Sequence, residues 1–264
     1  CRHRNIPIYD LQHGRLGPYH GMYTDFSFRP KNGYQLLPDA VLCWGQRTVD
    51  DIGRQTGTSE PALKAICMGN AWVSKWTGGN EFLIPEKADD ELKSLVQGRK
   101  IVLVTLQPIK HPIPNCLIDA MLFTSDNCFW LIRCHPRQVG NISGISNWLK
   151  EKNISNAVVS LASNTPLYWL LARVHHHVTL FSSTALEALY FRVPTTLIDP
   201  IGESVFRDFV DDNTFNVTYD GKILAQLVQA ERQVTKLDTR FVVDDQQEIF
   251  DNFCRTIYDG YSMV

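Results

Sequence analysis

The sequence predicts an α/β protein built from two Rossmann-like units, and three observations carry that prediction. From residue 100 onward, short β-branched runs alternate regularly with helix-length amphipathic segments. Repeated strand–helix units of this length imply a parallel sheet with helices on both faces. A second, shorter set of strand-like runs precedes residue 90, and 44% hydrophobic residues over 264 positions can fill ordinary cores.

Taken in order, the first unit offers "IPIYDLQ", a Gly/Pro/Tyr-rich loop, "DAVLCWG", the helix "QRTVDDIGRQTG" (46–57) and a strand-like "KAICMGNAW". Two or three strands are too few for a complete sheet domain, so this unit reads as the trailing half of one, with further residues expected upstream. The charged segment 85–99 reads as the passage into the second unit. The division is therefore 1–90 for a partial N-terminal Rossmann-like unit and 91–264 for a C-terminal one. In the second unit the predicted strands are 100–107, 128–136, 156–163, 177–183, 194–199 and 214–219, with amphipathic segments between them. A last helix, 244–260, has no strand after it and is free to pack elsewhere.

Composition removes several function classes. With 26 basic against 28 acidic residues and no long block of either sign, the chain lacks the electrostatic footprint of a nucleic-acid binder. The seven cysteines are scattered without CxxC spacing and read as reduced core residues of a cytosolic protein. No uncharged apolar run reaches the length of a membrane span. Trp72, Trp76 and Phe82 could touch a membrane surface, but packing is the preferred reading.

Open parallel sheets bind ligands beyond the carboxyl ends of their strands. Three stretches fall there: "LQPIKHP" (106–112) with Gln107, "RCHPRQ" (133–138) and "FSSTALE" (181–187). In the last, Ser182, Ser183 and Thr184 mark a strand-to-helix junction. Their oxygens can simply cap backbone N–H groups; the same junction also offers N–H groups, a positive dipole end and hydroxyls to phosphate oxygens. Glu187, one turn further in, is placed to accept hydrogen bonds from vicinal ribose hydroxyls. His135, between Arg133 and Arg137, follows a strand stopped by Pro136, where a protonated imidazole would stabilise a departing phosphate. Asn164 and Thr165 either contact a base or cap the next helix. In the first unit His13 ends a strand before a glycine and reads as a general base facing a cleft between the units, with His20 the weaker competitor. The run His175, His176, His177 cannot converge on one ion, because successive strand residues face opposite ways, and it reads as a strand start on the surface. No DxD pair follows a strand, so no metal-binding residue and no cofactor are assigned.

The order QHG (12–14), DAVLCWG (39–45), VTLQP (104–108), CHPR (134–137) and then the serine-rich junction within 166–199 resembles GT-B glycosyltransferases of bacterial surface-polysaccharide synthesis. Nearest in pattern are the groups with an HP and an SS/ST motif: bacterial sialyltransferases and Kdo transferases using CMP-sugars, and glycerophosphotransferases using CDP-glycerol. The resemblance implies a GT-B-like pair of Rossmann-like units with a cleft between them, the N-terminal one incomplete. It implies phosphate contacts for His135, Ser182 and Ser183, ribose binding for Glu187 and a base at His13. The implied partners are a nucleotide-sugar donor, CMP-sialic acid or CMP-Kdo by preference, and a glycan or glycolipid acceptor, reached by metal-independent, inverting transfer. The implied place is the cytoplasm, with peripheral contact at the inner face of the cell membrane.

Two other readings stay open. "IVLVTLQPIKHP" also resembles the opening strand of UDP-GlcNAc 2-epimerases, although those enzymes carry an Asp-Ser-Gly-Gly run where this chain has "FSSTALE". The third reading is a nucleotide-binding protein without catalysis.

Overall fold

The computed structural model of the chain describes residues 1–4, 6–17, 20, 21, 23, 24, 37–54, 63–77, 87–110, 113–231 and 246–261. Phe82 and the His–Pro pair at 111–112 lie outside these residues, as does much of the tyrosine-rich loop. The chain forms two compact units, Cys1–Gly78 together with Leu237–Val264, and Gly79–Lys236.

The first unit carries β1 (Tyr9–Leu11), β2 (Ala40–Cys43), α1 (Gln46–Gly53), β3 (Lys64–Cys67) and α2 (Ala71–Thr77). Its strands form a three-stranded parallel sheet in the order β1-β2-β3. Val41, Cys43 and Ile52 pack with Leu16, Tyr23 and Leu63 into a small core. Trp76 is buried, whereas Trp72 is exposed.

The second unit runs α3 (Ala88–Val96), β4 (Lys100–Thr105), α4 (Asn115–Phe123), β5 (Cys128–Arg133), α5 (Ile142–Glu151), β6 (Ala157–Val158), α6 (Ser160–Asn164), α7 (Leu167–Leu171), β7 (His176–Thr179), α8 (Thr184–Tyr190), β8 (Thr195–Leu197), α9 (Pro200–Val205), α10 (Arg207–Asp211), β9 (Phe215–Val217) and α11 (Gly221–Gln229). Its six strands are all parallel, in the order β6-β5-β4-β7-β8-β9. The order therefore reverses between β4 and β7, the point at which such sheets open a crevice at their carboxyl ends. Val102, Val104, Trp130, Ile132 and Val178 fill the core beneath that point.

Four expectations change. The division at 90/91 moves, because the charged segment 85–99 is no linker: Ala88, Leu92 and Val96 form a buried i, i+4, i+8 stripe on α3 within the second unit. The closing helix α12 (Gln246–Tyr261) belongs with the first unit, where Phe253 packs edge-on against Tyr9. The strand expected over 156–163 is only two residues long. From Ser160 the chain turns helical, with Ser163 N–H donating to Val159 O and Thr165 N–H to Leu161 O.

The histidine run is not on the surface beyond His175. His176 and His177 are 4% and 0% exposed, because threonines on the neighbouring strands satisfy their ring nitrogens. His177 Nε2 meets Thr105 Oγ1 at 2.9 Å and its Nδ1 meets Thr195 Oγ1 at 3.2 Å, while His176 Nε2 meets Thr196 Oγ1 at 2.8 Å. Burial pulls the two imidazoles down to about 4 for His176 and about 3 for His177, so both are neutral at pH 7.

Two helix starts are fixed by aspartate caps. Asp199 accepts from Ile201 N at the head of α9, and Asp220 accepts from Lys222 N and Ile223 N at the head of α11. Gly202 brings α9 so close to the chain leaving β7 that a Cβ there would stand 1.9 Å from Leu180 O.

Candidate functional site

The residues singled out after β5, α6 and β7 share one end of the second unit's sheet. Strand β5 delivers Arg133 to its carboxyl end, and Leu106 N–H bonds to Arg133 O, so β4 stays paired until it reaches Gln107. Gln107 is 9% exposed beside the strand-order reversal. After β5, His135 is half-buried and caps the 3-10 turn Pro136–Asn141, its Nδ1 accepting from Arg137 N at 3.1 Å. That contact leaves the imidazole proton on Nε2. Burial, reinforced by Arg137, lowers the ring's affinity for a second proton. The geometry thus favours a neutral Nε2–H donor over the imidazolium expected from the sequence. The Arg137 side chain is exposed one turn on.

The turn from α6 into α7 is held from β5 at several points. Arg133 Nη1 donates to Ala162 O and to Thr165 O, both at 2.6 Å, and Cys134 N–H donates to Ser163 Oγ at 3.1 Å. Thr165 is 2% exposed and spends its hydroxyl on Leu161 O, whereas the Asn164 side chain is exposed. Of this candidate pair, Asn164 is the one presented outward.

The junction between β7 and α8 is a compact hydroxyl knot. Thr179 Oγ1, fully buried, donates to Thr105 O across the order reversal and accepts from Ser182 N. Ser182 Oγ accepts from Thr184 N at 3.2 Å and lies 3.0 Å from Thr184 Oγ1. Ala185 N–H and Leu186 N–H bond to Ser182 O and Ser183 O. Much of the capping chemistry is therefore met within the junction itself, and Ser183, at the N-cap position, makes no side-chain cap.

Glu187 is half-buried on α8 and accepts from Tyr168 OH at 2.5 Å. Burial raises its carboxyl above the ordinary range, opposed by hydrogen bonds from Tyr168 and Thr184 and by the charge of Arg133. Tyr168 is itself stacked on Phe191, ring centroids 5.9 Å apart, which fixes the phenol that holds the carboxylate. Sequence reasoning missed Tyr168 and the role of Arg133. The only signal for either was an arginine at a strand end and a tyrosine in the first turn of a helix.

In the first unit, Gln12 is 5% exposed and anchors the turn that carries His13. Its Nε2 donates to Gly14 O and its Oε1 accepts from Trp44 N. His13 is exposed at the end of β1. His20 stacks on Tyr23, whose hydroxyl donates to Asp10, and burial followed by the proximity of His13 lowers the His20 imidazole. Among the described residues, no three His, Cys, Asp or Glu side chains gather into a group that could hold a metal ion, and no helix is long and apolar enough to cross a membrane.

A cavity of about 510 Å³ lies at the opposite, amino end of β4 and β7, lined by Asp89, Lys93, Arg99, Ile101, Arg173 and His175 among others. Its arginines serve the scaffold. Arg99 donates to Leu95 O and Val96 O, and Arg173 donates to Asp89 and Trp169 O.

No protein-family model matches the chain, and no curated protein matches it by sequence. Its fold does match solved structures. S. aureus MnaA in complex with UDP aligns with a TM-score of 0.64 at 12% identity, over 98% of this chain and 69% of that one. The wall teichoic acid polymerase TagF aligns at 0.55 and 14% identity, over 84% of this chain and 59% of TagF. Methanocaldococcus jannaschii UDP-GlcNAc 2-epimerase, bound to UDP-GlcNAc and UDP, aligns at 0.55 and 11% identity, over 83% and 61%. The chain thus spans about three fifths of the length of the latter two. The fold is α/β and GT-B-like, with parallel, Rossmann-like sheets.

Proposed function

We propose that the protein is a nucleotide-sugar-dependent transferase whose second unit binds the nucleotide. One observation carries this: the convergence of Arg133, His135, Asn164, the Ser182–Thr184 junction and Glu187 on the carboxyl ends of strands flanking the order reversal. Glu187, oriented by Tyr168, has the free acceptor capacity that a pair of ribose hydroxyls requires. The exposed Asn164 amide offers a donor and an acceptor to a base edge. His135 Nε2–H, with Arg137 beside it, would donate to the phosphate oxygens as negative charge builds on the departing nucleotide. Ser183 and Gln107 are further polar groups at this end. The acceptor's proton is assigned to His13, the exposed imidazole that follows β1. The step moves one glycosyl bond: the acceptor oxygen bonds to the donor carbon, the nucleotide leaves with the bonding electrons, and inversion follows from attack opposite the leaving group.

For the donor, the motif resemblance supports a CMP-sugar, sialic acid or Kdo, with a surface glycan or glycolipid as acceptor. A second reading, a nucleoside diphosphate donor such as a UDP-sugar or CDP-glycerol, is favoured by the neighbours, which were solved with UDP, UDP-GlcNAc or, for a TagF variant, CDPG. The test is a thermal-shift titration with CMP, CDP, UDP, GDP and ADP, with and without EDTA, since a ligand bound only by the folded chain raises its stability. A selective shift with CMP that EDTA leaves unchanged supports the first reading, and one with UDP or CDP the second. No shift with any nucleotide would sink both.

A further inference from the structure

We propose that Arg133 is a positioning residue that sets two separate parts of the nucleotide site at once, the turn that presents Asn164 and the carboxylate of Glu187; this inference rests on the nucleotide reading above. Both hydrogens of its Nη1 are committed, one to Ala162 O and one to Thr165 O, each at 2.6 Å. Those carbonyls flank Ser163 and Asn164, so the guanidinium fixes the turn on either side of the exposed amide. Charge-assisted bonds of this length are the stronger kind, and the planar fork makes them directional. The same cation lies within electrostatic reach of Glu187, which otherwise faces Tyr168 from α7 and Thr184 on its own helix.

The arrangement has a chemical logic. A carboxylate that must accept two ribose hydroxyls has to stay ionised, yet burial favours its protonated form. A neighbouring cation offsets that, and Arg133 is a cation whose own protonation does not vary over the working range. Lysine at 133 would keep the charge but not the planar fork, whereas methionine would keep much of the volume and remove both. The two roles are therefore separable by substitution.

The test is calorimetric titration with UDP and with CDP at pH 6 and pH 8, for wild type, Arg133→Lys, Arg133→Met and Arg133→Met/Glu187→Gln. Affinities are compared as the pH 8 to pH 6 ratio relative to wild type, which cancels the nucleotide's own titration. Arg133→Met is expected to bind about tenfold more weakly, with the loss larger at pH 6 than at pH 8, because removing the cation raises the Glu187 carboxyl further. Arg133→Lys should lose affinity by a few-fold at both pH values and keep the wild-type ratio, and adding Glu187→Gln to Arg133→Met should abolish the excess pH dependence. A role confined to capping α6 would lower affinity or stability without moving the ratio. If wild type binds and Arg133→Met keeps the wild-type ratio, the dual role is wrong, and if Arg133→Met does not fold, a changed ratio in Arg133→Lys overturns it equally. If wild type binds neither nucleotide, the nucleotide reading falls first and takes this inference with it.

Discussion

At the amino end of the six-stranded sheet, Arg99 and Arg173 bond to backbone carbonyls in the last turns of α3 and α7. At the carboxyl end, Arg133 does much the same for the end of α6, but there it is joined by a carboxylate, an imidazole, an exposed amide and a cluster of hydroxyls. The difference follows from the topology. In a parallel sheet, returning helices mostly start at the carboxyl ends and finish at the amino ends. N-cap hydroxyls and positive dipole ends therefore gather at one end, and cations answering helix carbonyls at the other. An arginine on a carbonyl is a scaffold device; it becomes part of a candidate site only where the strand order also reverses.

Acid gives the largest expected effect and sets the window in which the two ends can be compared. His176 and His177, between them in the sheet, have folded-state affinities for protons well below those of the unfolded chain. Their stabilisation is complete above the unfolded value near 6.5 and is lost as pH falls from there toward 4 and 3. By pH 5 each should cost about 2 kcal/mol, on the order of 4 kcal/mol together. Urea unfolding at pH 7 and pH 5 would measure this, and equal stabilities would contradict the buried, neutral pair.

Next, His135→Ala should lower the proposed transfer by about 10²-fold, whereas Arg99→Ala, at the other end, should leave the proposed transfer by the folded protein unchanged. Steady-state rates for the two variants would break the comparison if they moved together. A smaller effect is expected from Gly202→Ala, since the added methyl meets the backbone at Leu180 and must displace the chain entering the Ser182 junction. The expected cost is about 1–3 kcal/mol in stability, with weaker nucleotide binding; unchanged melting and binding would show that the junction tolerates the shift. Least of all, Glu231→Gln, which removes the 98% exposed charge that Lys100 meets, should change stability by less than about 1 kcal/mol. A larger loss in chemical unfolding would give that amino-end pair more weight than its exposure allows.

The alternation of strands and helices was legible because the β-branched run Ile101–Thr105 and the aromatic and aliphatic run Cys128–Arg133 stand apart from the amphipathic helical segments between them. The carboxyl-end location of the candidate residues followed from topology. What sequence could not show were partnerships between distant positions. His177 reads as a surface residue until Thr105, 72 positions away, and Thr195, 18 away, are seen to satisfy its ring. Arg133 reads as a flank of the HP motif, since the carbonyls it holds lie 29 and 32 residues on. Gln12 hides beside His13 for the same reason, its anchor at Trp44 being 32 residues off. Helical Ser160–Asn164 was missed because a β-branched start, Ala157–Val159, set the period for residues that no longer followed it.

The threonine–histidine seam also bears on how the sheet finds its alignment. Strand β4 is a nearly uniform aliphatic run, and a partner sliding along such a run meets similar surface at each step. A shift of β7 by one residue would turn His177 to the opposite face, away from both Thr105 and Thr195, and leave a buried imidazole without its bonds. Shifted pairings are thus penalised by solvation rather than by shape. The seam works as a key that only one alignment of three strands can turn, and it does so at the centre of the sheet, where an error would misplace every loop above it.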